Sequence, residues 1–239
     1  MEQERIFLTA KWQYLAMLNY QVDPLLLLQF VPPGTELDSW NGKTFVSLVG
    51  FRFLRTRVCG IPIPFHCNFD EINLRFYVRR SVGGEIRRGV VFIKEIVPRW
   101  AIAAVARSFY NEKYVALPMR HQVSPSESGL RVEYAWRTSR QWNRIGLNAA
   151  GGPELPEQGS EEEFITEHFW GYSTLVDGAT AEYRVAHPSW RVCSGQDAKF
   201  EGDAGELYGR ELAAILSRQP ASAFLAEGSE VTVFRGQRI

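Results

Sequence analysis

The stretch Phe69-Asp70-Glu71-Ile72-Asn73-Leu74-Arg75-Phe76-Tyr77-Val78-Arg79 decides the fold class. Ile72, Leu74, Phe76 and Val78 fall on one side of an extended chain. Glu71, Asn73, Arg75, Tyr77 and Arg79 fall on the other. A period of two is the signature of a β-strand. Two environments suit the polar face. It meets water in a half-buried antiparallel strand, or it lines a ligand cavity with a carboxylate, an amide and a guanidinium two residues apart. Alternation alone does not choose between them.

Working outward, Gly83-Gly84 predicts a turn, after which Val90 to Val97 returns as the partner strand. Upstream, Asn41-Gly42 predicts a tight hairpin turn before Thr44-Phe45-Val46-Ser47-Leu48-Val49. Gly50 then interrupts the pattern, as at a bulge or a close backbone approach. Further strands are predicted over 130–137, 180–187 and 230–235.

Helices are predicted where Asp23-Pro24 opens a run of four leucines, over 98–112, after Ser160 in a capping box with Glu163, and over 206–216. The Gly-, Pro- and Glu-rich segment 147–162 reads as a surface loop. The strands on either side of it look alike, so residues 1–239 are taken as one domain. The resulting class is α+β and β-rich, with an antiparallel, barrel-like core and a few flanking helices, because closing a sheet removes its exposed edges.

Composition bounds the function. The chain has 239 residues, of which 45% are hydrophobic and 13% aromatic, enough for a real core. Lys plus Arg equal Asp plus Glu at 27 each, so no bulk charge recruits nucleic acid or an anionic membrane. Arg79, Arg80, Arg87 and Arg88 flank one turn and read as a solvated hairpin end. Three cysteines make no disulfide scaffold, and the acidic start is no signal peptide, so a cytoplasmic protein is expected. A small-molecule ligand is the expected partner, and a homo-oligomer is compatible with the sequence.

Glycine-rich phosphate loops, nucleotide-binding fingerprints, nucleophile elbows and Cys-x-x-Cys pairs are absent from the sequence. No cofactor is implied. The four histidines lack helical metal-ligand spacing, so no metal is expected; one would have to assemble from His66, Glu167, His168 and His187.

Several segments together resemble the YqjF-like family of bacterial conserved proteins: Phe7 to Trp12, Val31 to Asp38, Phe45 to Phe51, Glu71 to Val78, Glu167 to Tyr172 and Tyr183 to Pro188. That family is similar in turn to the wider acetoacetate-decarboxylase-like superfamily. The resemblance implies a β-barrel-like domain with an internal pocket. The decarboxylases of that superfamily form a Schiff base between a lysine and a β-keto acid. Their motifs include an aromatic-x-Glu on a pocket strand and a helix followed by a Pro-Lys-Lys turn.

Phe69-Asp70-Glu71 matches the first motif, and Asn111-Glu112-Lys113-Tyr114 stands where the second is expected. The resemblance thus implies Glu71 as the pocket carboxylate and Lys113 as the candidate catalytic lysine. Asn73, Arg75, Glu95, His66, Glu167 and His168 are candidate ligand-binding residues. The match departs from the pattern at the lysine. A Schiff-base lysine must be neutral, and lowering its pKa by about four units takes on the order of 5 kcal/mol. Glu112 beside Lys113 acts in the wrong direction, so burial or help from Arg75 or Arg107 would be required. The competing reading is a solvated lysine beyond a helix C-terminus. Glu95 alternates with Lys94; it either joins Glu71 in the cavity or pairs with Arg75 across the strands.

Overall fold

The computed structural model describes residues 5–63, 66–98, 113–127 and 129–239. Among the described residues the strands are β1 (Ile6–Val22), β2 (Glu36–Leu37), β3 (Thr44–Val58), β4 (Ile61–Pro62), β5 (Phe69–Val82), β6 (Glu85–Val97), β7 (Tyr114–Ala116) and β8 (Met119–Ser126). They continue as β9 (Gly129–Arg137), β10 (Trp142–Glu154), β11 (Trp170–Thr174), β12 (Thr180–Ala186), β13 (Val192–Glu201), β14 (Ser222–Ala226), β15 (Glu230–Phe234) and β16 (Gln237–Arg238). The α-helices are α1 (Glu161–Thr166) and α2 (Gly205–Leu216). The helix expected over 98–112, with Arg107, lies outside the described residues apart from Pro98.

Strands β1, β3, β5, β6, β11, β12 and β15 pair in succession and return to β1, a ring that makes the core barrel-like. β1 is the branch point. Residues 6–11 pair with β15, and residues 15–19 pair with β14, which begins a second limb through β13, β10, β9 and β8. The two halves part at Tyr14, whose φ of 56° marks an irregularity in the strand. The limb folds over the outside of β3 and β5. There Tyr134 donates to the Tyr14 carbonyl at 2.8 Å, and His121 Nδ1 meets the Asp70 carboxylate at 2.8 Å.

β5 is therefore covered on both sides. Ile72, Leu74, Phe76 and Val78 pack between ring and limb with Val132, Tyr134, Trp136 and Ile145, while the opposite face looks into the ring. Gly50 allows the layers to meet: a Cβ there would lie 2.7–2.9 Å from Tyr134, Ile72 and Ile145. That is closer than side chains tolerate, as the break in pattern predicted.

The turns at Asn41-Gly42 and Gly83-Gly84 have the positive φ angles their residues favour. Ser160 caps α1 by accepting from the Glu163 amide at 3.1 Å.

Three expectations are corrected. Asp23 does cap and Pro24 does start a helical turn, but the leucine run forms two 3₁₀ turns, Pro24–Leu26 and Leu28–Phe30. Only Leu27 is fully buried; Leu25 and Leu28 are exposed. The loop expected over 147–162 is strand as far as Glu154. β10 lies between β9 and β13, which pair with it as far as Ala150 despite Gly146, and the strand runs on to Glu154 opposite Val192. The arginines at the β5–β6 hairpin are not merely solvated. Arg79 pairs with Glu36, Arg88 with the buried Asp38, and Arg80 and Arg87 with the buried Glu182. No helix among the described residues is long and apolar enough to cross a membrane.

Candidate functional site

The inner face of β5 supplies Glu71, Asn73 and Arg75, which are 2%, 2% and 8% exposed. Their cross-strand neighbours complete a polar row. On β6, Glu95 stands opposite Asn73 and Phe92 opposite Arg75. These two lie three apart, a spacing that would put them on opposite faces of a regular strand. A register shift between Leu74 and Arg75 leaves Ile93 unpaired and brings both to the same face. β7 runs parallel to β6 and sets Tyr114 beside Glu95. β3 places Phe51 opposite Glu71.

These residues line a cavity of about 120 Å³. Its remaining wall is largely apolar and rich in aromatics: Trp12, Phe53, Trp170, Tyr183 and Trp190 stand among aliphatic residues such as Leu15 and Val90, with His168 and His187 also in the lining. Trp12 packs edge-on against Phe51 at 5.3 Å and Phe53 at 5.6 Å. His187 stacks on Trp190 at 4.1 Å. The site thus has a polar side on β5, β6 and β7 and an apolar side elsewhere, the usual make-up of a small-molecule pocket.

Each Glu71 oxygen accepts one hydrogen bond, from Asn73 Nδ2 at 3.0 Å and from the Tyr114 hydroxyl at 3.2 Å. Burial is the dominant influence on this carboxyl. It pushes the pKa up to about 7, against the opposing pull of Asn73, Tyr114 and the Arg75 charge. Glu71 is thereby divided between acid and carboxylate near neutral pH, the state required of a group that both takes and returns a proton.

Arg75 donates to the Ile165 carbonyl of α1 at 3.3 Å. His168 lies just beyond the same helix, its ring 4.6 Å from Tyr77 and 5.3 Å from Phe164. Burial, then the charges of Arg75 and Arg88, hold its pKa well below the ordinary histidine value, so the ring is neutral at pH 7. Five buried polar atoms of the lining residues have no hydrogen-bond partner among the described residues: Trp12 Nε1, Asn73 Oδ1, Arg75 Nε and both ring nitrogens of His168. Buried polar groups left in this condition cost about 1–3 kcal/mol each. The cavity therefore offers matched acceptors and donors to whatever enters it.

The candidate residues divide as follows. Glu71, Asn73, Arg75, Glu95 and His168 line the same cavity. His66 does not; it borders a smaller void next to Glu71 and Tyr114. Glu167 caps the C-terminus of α1 and is not part of the lining. Lys113 is exposed, its ammonium 5.1 Å from the centre of the Phe30 ring. Its carbonyl accepts from the Glu95 amide, and Tyr114 takes the inward position. The three-residue strand β7 is too short for its phase to be read from sequence, so Tyr114 was missed by one position. The aromatic wall was missed because its members come from five separate segments.

The DUF2071 family profile, described as an uncharacterized conserved protein, matches residues 9–230. The uncharacterized protein YqjF of Bacillus subtilis (strain 168) is 25% identical over 182 residues, which cover 74% of this chain and 72% of YqjF. Several solved structures share the fold, three of them as follows. Acetoacetate decarboxylase from Legionella pneumophila superposes with a TM-score of 0.66 at 14% identity, covering 98% of this chain and 87% of the other. The enduracididine biosynthesis enzyme MppR complexed with pyruvate gives 0.65 at 14% identity, covering 97% and 90%. An acetoacetate decarboxylase-like enzyme from Sphingomonas wittichii RW1 gives 0.65 at 12% identity, covering 97% and 92%. The fold is acetoacetate-decarboxylase-like.

Proposed function

The chain belongs to the DUF2071 family of conserved proteins, and from that premise we propose that the cavity binds a small carboxylate or carbonyl compound. Arg75 and Asn73 hold the polar head, and the aromatic wall buries the body. The observation that carries this reading is the row of buried, incompletely bonded polar atoms on one side of an otherwise apolar cavity. A guanidinium beside an amide suits a carboxylate, because a charge-assisted hydrogen bond is about twice as strong as a neutral one. MppR, which shares the fold, is complexed with pyruvate, a ligand of this chemical class. The volume agrees: a cavity of about 150 Å³ holds a benzene ring, so roughly 120 Å³ accepts a molecule of a few carbons.

A Schiff-base lyase is the competing reading, and the lysines speak against it. The chain has five, Lys11, Lys43, Lys94, Lys113 and Lys199, and none lines the cavity. Without an amine there is no imine to draw electrons from a departing carboxylate. Glu71 remains available for proton transfer next to a bound carbonyl.

Two measurements decide between the readings. Incubation with acetoacetate or pyruvate and borohydride should leave no covalent adduct on any lysine; an adduct on Lys113, lost in Lys113→Met, would restore the lyase. Pyruvate at about a hundred times its dissociation constant should add roughly 2.7 kcal/mol of stability. That gain should vanish in Arg75→Ala. A gain that persists in Arg75→Ala would remove the guanidinium from the ligand's polar head.

A further inference from the structure

The cavity has a neighbour. A second void of about 50 Å³ shares Phe7, Leu8, Phe53, Glu71 and Tyr114 with it. Beyond those shared residues its wall is formed by Thr56, Val58, Ile63 and Phe69, with His66 at the rim. Glu71 and Tyr114, hydrogen-bonded to one another, stand where the two spaces adjoin. The inner face of β5 therefore reads Arg75, Asn73, Glu71, Phe69, from charged to apolar, with about 6.6 Å between successive members.

We propose that the two voids serve one ligand: a linear acid whose carboxylate and adjacent carbonyl lie at Arg75 and Asn73, and whose alkyl chain passes Glu71 and Tyr114 into the side chamber. This rests on the reading of the cavity as a carboxylate or carbonyl site and adds the shape of the ligand. On the scale by which a cavity of about 150 Å³ holds the six carbons of benzene, a chamber of roughly 50 Å³ takes a tail of two or three carbons. Four residues of strand separate Arg75 from Glu71, about 13 Å, part of which the Arg75 side chain spans. The class is thus an unbranched 2-oxo acid of about six to eight carbons, and the residues that set its length are Thr56, Val58 and Phe69.

The test is a chain-length series of 2-oxo acids, from pyruvate through 2-oxobutanoate to 2-oxodecanoate, with dissociation constants measured by calorimetry. Affinity should stay nearly level for the shortest acids. It should then rise about fourfold per methylene over two or three carbons and fall once the chamber is full. Thr56→Leu fills the chamber and should abolish the rise while pyruvate still binds. Val58→Phe, approaching from another wall, should do the same and serves if Thr56→Leu does not fold. Xenon, read by its NMR shift, probes the chamber without any acid and should be displaced in both variants. Level affinities across the series, with binding still dependent on Arg75, would overturn the shape and leave the carboxylate reading standing. A rise that survives both filled variants would place the tail elsewhere and overturn the chamber. Failure of every acid to bind would overturn the carboxylate reading and the ligand shape together, even where xenon still enters.

Discussion

Glu71 and Glu182 are exposed to only 2% and 1% of their surfaces and belong to strands of the same ring, yet their surroundings oppose one another. Glu182 accepts from Arg80, Arg87, Tyr172 and Gln237 at 2.9–3.1 Å. Burial pushes its pKa up, but Gln237, Arg80 and Tyr172 outweigh that and hold it below the usual carboxylate value. Glu71 accepts from one amide and one phenol, and burial prevails. A buried acid ringed by cations is a tie between strands. A buried acid supplied with neutral donors at the wall of a cavity stays partly protonated near neutral pH.

The contrast breaks first, and by the largest amount, at Glu182. Glu182→Gln leaves two guanidiniums facing a neutral amide and should cost about 3 kcal/mol, since removing one partner of a buried ion pair typically costs 3–5. Urea denaturation measures it. A loss under about 1 kcal/mol would mean that solvent already serves Arg80 and Arg87, and the carboxylate would lose its structural role.

The second test separates the two acids by pH. Glu71 has a folded pKa of about 7, above its ordinary 4.5. Between these values the folded state binds more protons than the unfolded one, so stability falls as pH rises through this window. The total is about 3 kcal/mol, from roughly 1.4 kcal/mol per pKa unit. Glu182 acts with the opposite sign: its pKa is depressed, so its contribution is present above the ordinary value and is lost as pH falls through the folded one. Stability profiles of the wild type and Glu71→Gln should therefore diverge between pH 4.5 and 7, the variant being the flatter. Parallel profiles would show that Glu71 is ionised like any surface glutamate.

The smallest effect sharpens the contrast. Tyr114→Phe removes one of the two donors to Glu71 and should cost about 0.5–1.5 kcal/mol. It should also raise the Glu71 titration midpoint, observable by carbon NMR of the carboxyl group. A midpoint that falls would mean the phenol does not donate to the carboxylate.

Much of this arrangement was legible in the sequence, for reasons that are local. The alternation over 69–79 placed Glu71, Asn73 and Arg75 on one face of a strand, and Asn41-Gly42, Gly83-Gly84 and Ser160 marked their turns and cap. What escaped reading depends on neighbours. β1 has no punctuation around Tyr14, where the sheet divides, and its left-handed residue shifts the pattern midway. The Gly-, Pro- and Glu-rich run from 147 reads as a loop until β9 and β13 pair with its first residues. On β6 the unpaired Ile93 brings Glu95 and Phe92 to the same face, which strict alternation denies. The burial of both faces of β5 could not be read from that strand at all, because the covering layer is made by β8, β9 and β10.

The forked pairing of β1 has a consequence for the chain in time. Residues 6–19 are hydrogen-bonded to residues 222–234, nearly the whole length of the sequence away. At about 5–20 residues per second of synthesis, the segment between Val22 and Ser222 takes roughly 10–40 s to make. Throughout that interval one edge of β1 lacks its partners, although β3 arrives early. A strand in that condition invites pairing with other chains. Closure of the ring is thus a late event, slow in the manner of non-local β pairing. Until β14 and β15 have emerged, that open edge is the part of the nascent protein most exposed to mispairing.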